Sequence, residues 1–339
     1  MQAVVSKGPK SLALEAVPDP TPKPGELVLR VDGCGICGSD LHLYQSGLLP
    51  PGAIMGHEFA GELMESAEGF QAGDRFCAIP TLSCGTCARC LTGLAAFCTN
   101  GSRAIGLGQA PGALAEYVSV APHNTVKLPA GVGSDWGALV EPLAVGLHAV
   151  NVAQVRPSDS ALVMGAGPVG LAITLWLRHL GVRTIVVCEK TEGRRAVAER
   201  LGATEVVEPA GLLPATQRNA PDGIDVVFEA TGVPGLIAQS LNSVTFRGRV
   251  VVVGVCNHPD TIFPLAGIFK EATVHFVLAY ELADFQYTVA MMEQGRIDPA
   301  PMVTDRISLA EVPAMFDTLA APTTQAKVLI DLASAESAD

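Results

Sequence analysis

Four thiols fall within fifteen residues of this chain, as Cys84-x2-Cys87-x2-Cys90-x7-Cys98. Unligated and exposed, such a cluster is an oxidation liability, so the loop is expected to fold around a metal. Zinc takes four soft ligands in a tetrahedron, and tight Cys-x2-Cys turns bring neighbouring thiolates to one ion. A closed four-thiolate site has no open position, so its role is structural. An iron–sulfur cluster fits less well, because the Cys-x2-Cys-x2-Cys-x3-Cys-Pro spacing is not met. The chain has nine cysteines, an odd total, and its first ten residues, MQAVVSKGPK, carry no apolar leader. Both features argue against a disulfide framework and for a reducing cytoplasm. Outside the loop and Cys37, the cysteines at 34, 77, 188 and 256 read as small core residues.

The length of 339 residues suggests two domains at about 150 residues each. The first 148 residues hold short β-like runs such as Glu26–Val31 and Ala115–Val120, broken by Gly and Pro, and read as a compact all-β unit. From Ala161 onward, apolar runs (ALVMG, TIVVCE, DVVFEA, RVVVVG) alternate with helix-like segments, the pattern of a doubly wound parallel sheet over 149–274. Residues 275–339 mix VHFVLA, a helix around Asp284–Gln294 and a last strand KVLID, and the end Ala333–Asp339 is expected to fray. The longest uncharged stretch, Ser160–Leu177, contains three glycines and a proline and reads as strand–turn–helix rather than a membrane span. A net charge of −12 argues against nucleic acid or an anionic membrane as partner.

Upstream of the cysteine loop, Gly35-Ile36-Cys37-Gly38-Ser39-Asp40-Leu41-His42 is followed by Gly56-His57-Glu58. A thiolate, an imidazole and a carboxylate form a mixed set for a zinc that keeps one position open, as catalysis requires. Downstream, Gly165-Ala166-Gly167-Pro168-Val169-Gly170 lies between a strand-like ALVM and a helix-like segment. The glycines permit a tight turn, close approach of a pyrophosphate and close helix–strand packing. Glu189 ends the next apolar run; an acid there accepts hydrogen bonds from the adenine-ribose 2′-hydroxyl and favours NAD over NADP. Lys190 and Arg194 pull the other way. A solvated helix face is the plainer account of both, and Arg194 is kept among the candidate cofactor contacts.

GICGSDLHLY, GHEFAGEL, the four-cysteine loop, LVEPLAVGLHAV and VMGAGPVGL occur in this order. With them the chain resembles the medium-chain zinc-dependent alcohol dehydrogenase family, in its polyol and secondary-alcohol branch, from about residue 1 to 332. The resemblance implies an α/β two-domain fold: a GroES-like β-rich catalytic domain (1–148), a Rossmann NAD-binding domain (149–274) and a C-terminal return to the catalytic domain (275–339). It implies Cys37, His57 and Glu58 around a catalytic zinc, with Glu141 as the remaining ligand or water-holding carboxylate. Asp40 would orient the ligand histidine, and Ser39 with His42 would relay the proton. Cys84, Cys87, Cys90 and Cys98 match the structural zinc ligands, and Thr231, Val253 and Gly254 match positions lining the cofactor cleft.

One thiolate and two carboxylates around a divalent zinc leave one excess negative charge, and Glu58 and Glu141 bound together with Cys37 and His57 would leave no place for substrate at four-coordination, so one carboxylate is expected to be displaced by, or to hydrogen-bond, the bound water or alcohol. The function expected is reversible NAD-linked oxidation of a secondary alcohol, diol or polyol to a ketone, or of an alcohol to an aldehyde. Two zinc ions and NAD serve each chain, and a small-molecule alcohol is the substrate, with threonine-type or simple alcohol oxidation as the alternative. The proton would leave through Ser39, the cofactor ribose and His42. Leu48, Ile105 and Tyr280 are candidate cleft residues. A metal-free NADPH reductase would not need the zinc motifs. A non-enzymatic zinc module would want a basic surface, whereas Cys84–Gly101 carries Arg89 as its single charge. By resemblance the protein is a cytoplasmic homodimer or homotetramer.

Overall fold

The computed structural model describes residues 1–321 and 323–332. The chain divides into two units: Met1–Ala144, Tyr280–Arg296 and the chain from Val303 onward form one, and Val145–Ala279 with Ile297–Met302 form the other.

The first unit is built on a seven-stranded sheet. Its strands run in the order Val303–Ile307, Lys327–Asp331, Leu27–Gly35, Glu58–Leu63, Arg75–Ala78 and Thr125–Lys127, and Tyr117–Val120 also pairs with Leu27–Gly35. All pairs are antiparallel except Val303–Ile307 with Lys327–Asp331. The period of two is visible in Leu27, Leu29 and Val31, which are buried while Val28 and Arg30 are less so. Leu29, Phe59, Leu63, Leu114, Phe316 and Ile330 belong to one apolar core. The unit is not purely β. A helix, Gly38–Ser46, follows the central strand, started by the Asp40 carboxylate accepting the Cys37 N–H at 2.9 Å.

The second unit holds a six-stranded parallel sheet in the order Glu205–Val207, Thr184–Cys188, Ser160–Met164, Ile224–Glu229, Val244–Val252, Thr273–Phe276. Numbered along the chain, that order is 3-2-1-4-5-6, so the direction of winding reverses between Ser160–Met164 and Ile224–Glu229. Ligands of such sheets bind at the carboxyl ends of the strands at this switch point. The glycine-rich turn sits there, ahead of the helix Pro168–His179. That helix packs so closely that a Cβ on Gly170 would lie 1.9 Å from the Gly165 carbonyl oxygen. The uncharged stretch 160–177 is accordingly a buried strand, turn and helix. Among the described residues no helix is long and apolar enough to cross a membrane. The fraying expected at Ala333–Asp339 lies outside the described residues.

Candidate active site

Cys37 sits at the N-cap of the helix Gly38–Ser46, and His57 and Glu58 stand at the start of the strand Glu58–Leu63. Pairing of Glu58 with Gly35 brings these two chain segments together. One ligand atom each of Cys37, His57 and Glu58 falls within 4.8 Å of the others. Asp40 is fully buried, and its Oδ1 lies 3.3 Å from His57 Nδ1. The two atoms are too poorly aligned for a full hydrogen bond, and neither has another partner among the described residues. Ser39 Oγ lies 3.3 Å from His57 Nε2. Burial pulls the imidazole pKa down, but the charges of Asp40 and then Cys37 outweigh it and hold it above its ordinary value. The pocket thus favours a cation at its centre, as a metal site should.

Glu141 lies in the first turn of the helix Val140–Val152 and is buried. Its pKa is pushed up to about 7, by burial first and by Glu58, while His57, a hydrogen bond from Tyr280 and Lys327 oppose the rise. His42 is exposed, one turn beyond half-buried Ser39 on the same helix.

Motif reading missed Lys327. Its ammonium donates to both carboxylate oxygens of Glu58 at 2.6 Å and to the Ile36 carbonyl at 2.9 Å, and both side chains are fully buried. Three neighbouring strands explain the pair. Lys327–Asp331, Leu27–Gly35 and Glu58–Leu63 lie side by side, and the middle strand presents Gly35 between the charges. A Cβ on Gly35 would come within 2.0 Å of Glu58 Oε2. Burial alone would lower the lysine pKa, but Glu58 and then Cys37 raise it, so Lys327 stays charged. One signal was available in sequence: a lysine opening the apolar run KVLID, since a buried lysine needs a partner.

The four-cysteine loop is compact. Cys87 Sγ lies 3.5 Å from Cys90 Sγ and 3.9 Å from Cys98 Sγ, and Cys84 Sγ lies 3.9 Å from Cys90 Sγ. A tetrahedral zinc with bonds of about 2.3 Å needs sulfurs about 3.8 Å apart, so the cage fits the ion. All four cysteines are free thiols. The Thr86 hydroxyl, then its N–H, hold Cys84 down to about 7, and the Cys90 N–H holds Cys87 down to about 5. Burial pushes Cys90 the other way, to about 11.

The remaining candidates gather in the second unit. Glu189 accepts the Ala166 N–H at 2.8 Å and the Thr191 N–H at 2.9 Å, so it braces the glycine-rich turn. Gly167 is the N-cap of the helix Pro168–His179, and nothing lies within 4 Å of where its Cβ would be. Open space at a helix N-terminus suits a pyrophosphate. Arg194 is half-buried on the helix Glu192–Arg200, while its neighbour Arg195 donates to the carbonyls of Glu189 and Lys190. Sequence reading passed over Glu229. Its buried carboxylate accepts from the Thr231 N–H, the Thr231 hydroxyl and the Gly232 N–H, and its carbonyl accepts from Val253 and Gly254. One residue therefore ties together the two turns holding Thr231, Val253 and Gly254.

Two expectations need correction. Ile105 is fully buried in the apolar core of the first unit and lines no cleft. Cys34, Cys77 and Cys188 are core residues as expected, but Cys256 lies half-exposed in the loop after Val244–Val252, its thiol on the His258 carbonyl.

Residues 23–130 match the family model of the alcohol dehydrogenase GroES-like domain, and residues 168–294 match that of zinc-binding dehydrogenases. The (R,R)-butanediol dehydrogenase of Bacillus subtilis strain 168 is 31% identical over 360 residues, covering 97% of this chain and 99% of its own. The crystal structure of 2R,3R-butanediol dehydrogenase from Bacillus subtilis superposes with a TM-score of 0.88 at 31% identity, over 97% of this chain and 99% of that one. An L-threonine 3-dehydrogenase of Saccharopolyspora erythraea is 30% identical over 330 residues, 94% of this chain and 95% of its own. A zinc-binding dehydrogenase from Sinorhizobium meliloti 1021, solved bound to NADP, matches with a TM-score of 0.87 and 30% identity over 97% and 98% of the two chains.

Removal of Lys327 tests the electrostatics of the site. Lys327→Met leaves Glu58 buried without its counter-charge, at a cost of about 3–5 kcal/mol in the metal-free protein. A bound divalent cation takes over part of that role, so the loss is expected to shrink in zinc-loaded protein. Urea unfolding of wild type and variant, with and without chelator, reads the difference; equal losses in both states would contradict it.

Proposed function

This chain belongs to the zinc-dependent medium-chain alcohol dehydrogenases, an oxidoreductase family, and from that premise we propose that it oxidises a secondary alcohol, vicinal diol or polyol reversibly with NAD. The observation that carries the reading is the grouping of Cys37, His57 and Glu58 within 4.8 Å, with Glu141 and Lys327 in the same buried pocket. Cys37, His57 and one of the two carboxylates would hold the catalytic zinc, and the four-cysteine loop a structural one. When bound, zinc polarises the substrate hydroxyl and NAD takes up the hydride, so an alcohol and oxidised cofactor become a ketone, reduced cofactor and a proton.

The chain's own residues account for the rest. Asp40 orients the His57 ring from its Nδ1 side. Lys327 offsets the single negative charge left over when a thiolate and two carboxylates surround a divalent cation; with the buried Asp40 carboxylate counted as well, the pocket is one charge negative unless Glu141 holds a proton. Glu141, raised toward neutrality by burial, is the carboxylate that can yield or hold a proton as substrate enters. Ser39 beside His57 takes the proton outward, and exposed His42 one turn on passes it to water. In the second unit the glycine-rich turn receives the pyrophosphate, and Glu189, Thr231, Val253 and Gly254 border it. The acid at Glu189 supports NAD over NADP. A threonine-type substrate is the second reading, favoured by the threonine dehydrogenase relative.

A homodimer is proposed through the outer edge of the parallel sheet. Among the described residues Thr273–Phe276 is an edge strand, and Phe276 and Leu278 in and just after it, with Phe263, Ile268 and Phe269 in the segment leading to it, are all more than 65% exposed. An unpaired parallel edge flanked by apolar side chains invites pairing with a second copy about a two-fold axis. The free, closely spaced thiols support a reducing, cytoplasmic location.

Three measurements test these assignments. With a panel of vicinal diols, sugar alcohols, simple secondary alcohols and threonine, the enzyme is expected to turn over a diol or polyol best, with NAD preferred to NADP. Cys37→Ser should abolish turnover while the fold is kept; full activity in that variant, or equal efficiency with both cofactors, would refute the corresponding role. Phe276→Arg is expected to convert a dimer to a monomer in sedimentation, and an unchanged mass would refute the edge contact.

A further inference from the structure

The residues around Glu189 close a circuit of hydrogen bonds at the end of the strand Thr184–Cys188. The Glu189 carboxylate places one oxygen on each of two backbone N–H groups, Oε2 on Ala166 at 2.8 Å and Oε1 on Thr191 at 2.9 Å. Thr191 is the N-cap of the helix Glu192–Arg200, and its carbonyl accepts the Arg195 N–H at 3.0 Å. The Arg195 side chain then turns back to where the circuit began: Nη1 donates to the Glu189 carbonyl at 2.9 Å and to the Lys190 carbonyl at 2.6 Å. A charged donor makes these the stronger kind of hydrogen bond. The strand end is fixed from its other side as well. The Glu189 N–H donates to the Val207 carbonyl at 2.9 Å, and the Cys188 carbonyl accepts the Gly165 N–H at 2.8 Å.

What the circuit holds is the glycine-rich turn. Ala166 stands between Gly165, at φ +96°, and Gly167, the N-cap of the helix Pro168–His179. Glycines on both sides leave such a turn many shapes of its own, and a nucleotide that had to select one on binding would bind more weakly. The Ala166 N–H, held by Glu189, ties the turn to the neighbouring strand, and Arg195 fixes the backbone from which the Glu189 side chain leaves. We propose that Arg195 is a positioning residue for the dinucleotide: it aims the Glu189 carboxylate at Ala166 and so keeps the turn in the shape that receives the pyrophosphate. Glu189 thus acts on the cofactor through the turn, beyond the ribose contact expected of an acid there. The inference rests on the NAD reading of that turn.

Arg195→Met keeps the stem and removes the guanidinium. Glu189→Gln keeps the size but can accept from one of the two N–H groups only. The probes are NADH and an analogue of NADH whose adenosine lacks both ribose hydroxyls, so that no contact from residue 189 to those hydroxyls enters the second measurement. By fluorescence titration both variants are expected to bind the analogue on the order of 10-fold more weakly than the wild type does. The double variant should lose less than the product of the two, because both changes act on one brace. With an alcohol that is turned over, KM for NAD rises in Arg195→Met while kcat at saturating NAD is kept, a split that general loss of fold does not produce. Wild-type affinity for the analogue in either variant, losses that multiply, or a fall in kcat at an unchanged KM overturns the proposal.

A readout without cofactor separates this proposal from the functional reading. In nucleotide-free protein, hydrogen exchange of the amides of residues 165–167 is expected to be faster in both variants. Unchanged exchange in Arg195→Met, alongside NADH binding by the wild type, overturns the positioning role and leaves the NAD reading standing. Faster exchange in both variants of a protein that binds no NADH upholds the brace and removes the NAD reading instead. Where Arg195→Met does not fold, Arg195→Lys, which shortens the reach of the same charge, enters the same measurements with the same expected direction.

Discussion

A fully buried ion pair between Lys327 and Glu58, at 2.6 Å, sits under the candidate reaction centre and fixes how the rest can be arranged. Its two members are 269 residues apart in sequence. They meet because the strand Lys327–Asp331 returns to lie beside Leu27–Gly35, and because Gly35 leaves the gap between them clear. A buried carboxylate without such a partner would be costly and would neutralise by protonation. With Lys327 present, Glu58 stays in place beside Cys37 and His57. Lys327 also enters the charge balance of the site. Four anions, Cys37, Asp40, Glu58 and Glu141, would face a divalent cation and the ammonium, so a proton on Glu141, whose pKa burial raises, would bring the site to neutrality.

The second unit solves a separate problem with the same device, a buried acid that collects donors. Glu229 takes three donors on one carboxylate oxygen and two more on its carbonyl, and in doing so shapes two turns at the switch point of the sheet. Glu189 braces the glycine-rich turn in the same manner. Preorganised turns of this kind let a nucleotide bind without first ordering the loops that receive it.

Local spacing made much of this legible in advance. Tight Cys-x2-Cys turns, a Gly-x-Gly-x-x-Gly turn between strand and helix, and β/α alternation are determined by neighbours in sequence, and each appears at its expected residues. What stayed hidden depends on strand register across the chain. No local pattern says that Lys327 reaches Glu58. Ile105 looked like a cleft residue because an apolar side chain in a loop carries no mark of which side it faces, and it proved to be core. Cys256 looked like core because buried cysteine is common, yet it lies in a half-exposed loop.

The central claim is that one chain builds two chemically different metal sites, one closed by four thiolates and one open, with a single thiolate, an imidazole and a carboxylate. The most direct measurement is zinc content combined with X-ray absorption at the zinc edge on wild type and Cys37→Ser. The account predicts about two zinc per chain in wild type, five sulfurs shared between them, and about one zinc surrounded only by sulfur in the variant. A single all-sulfur zinc in the wild-type protein, or two all-sulfur sites, would contradict it.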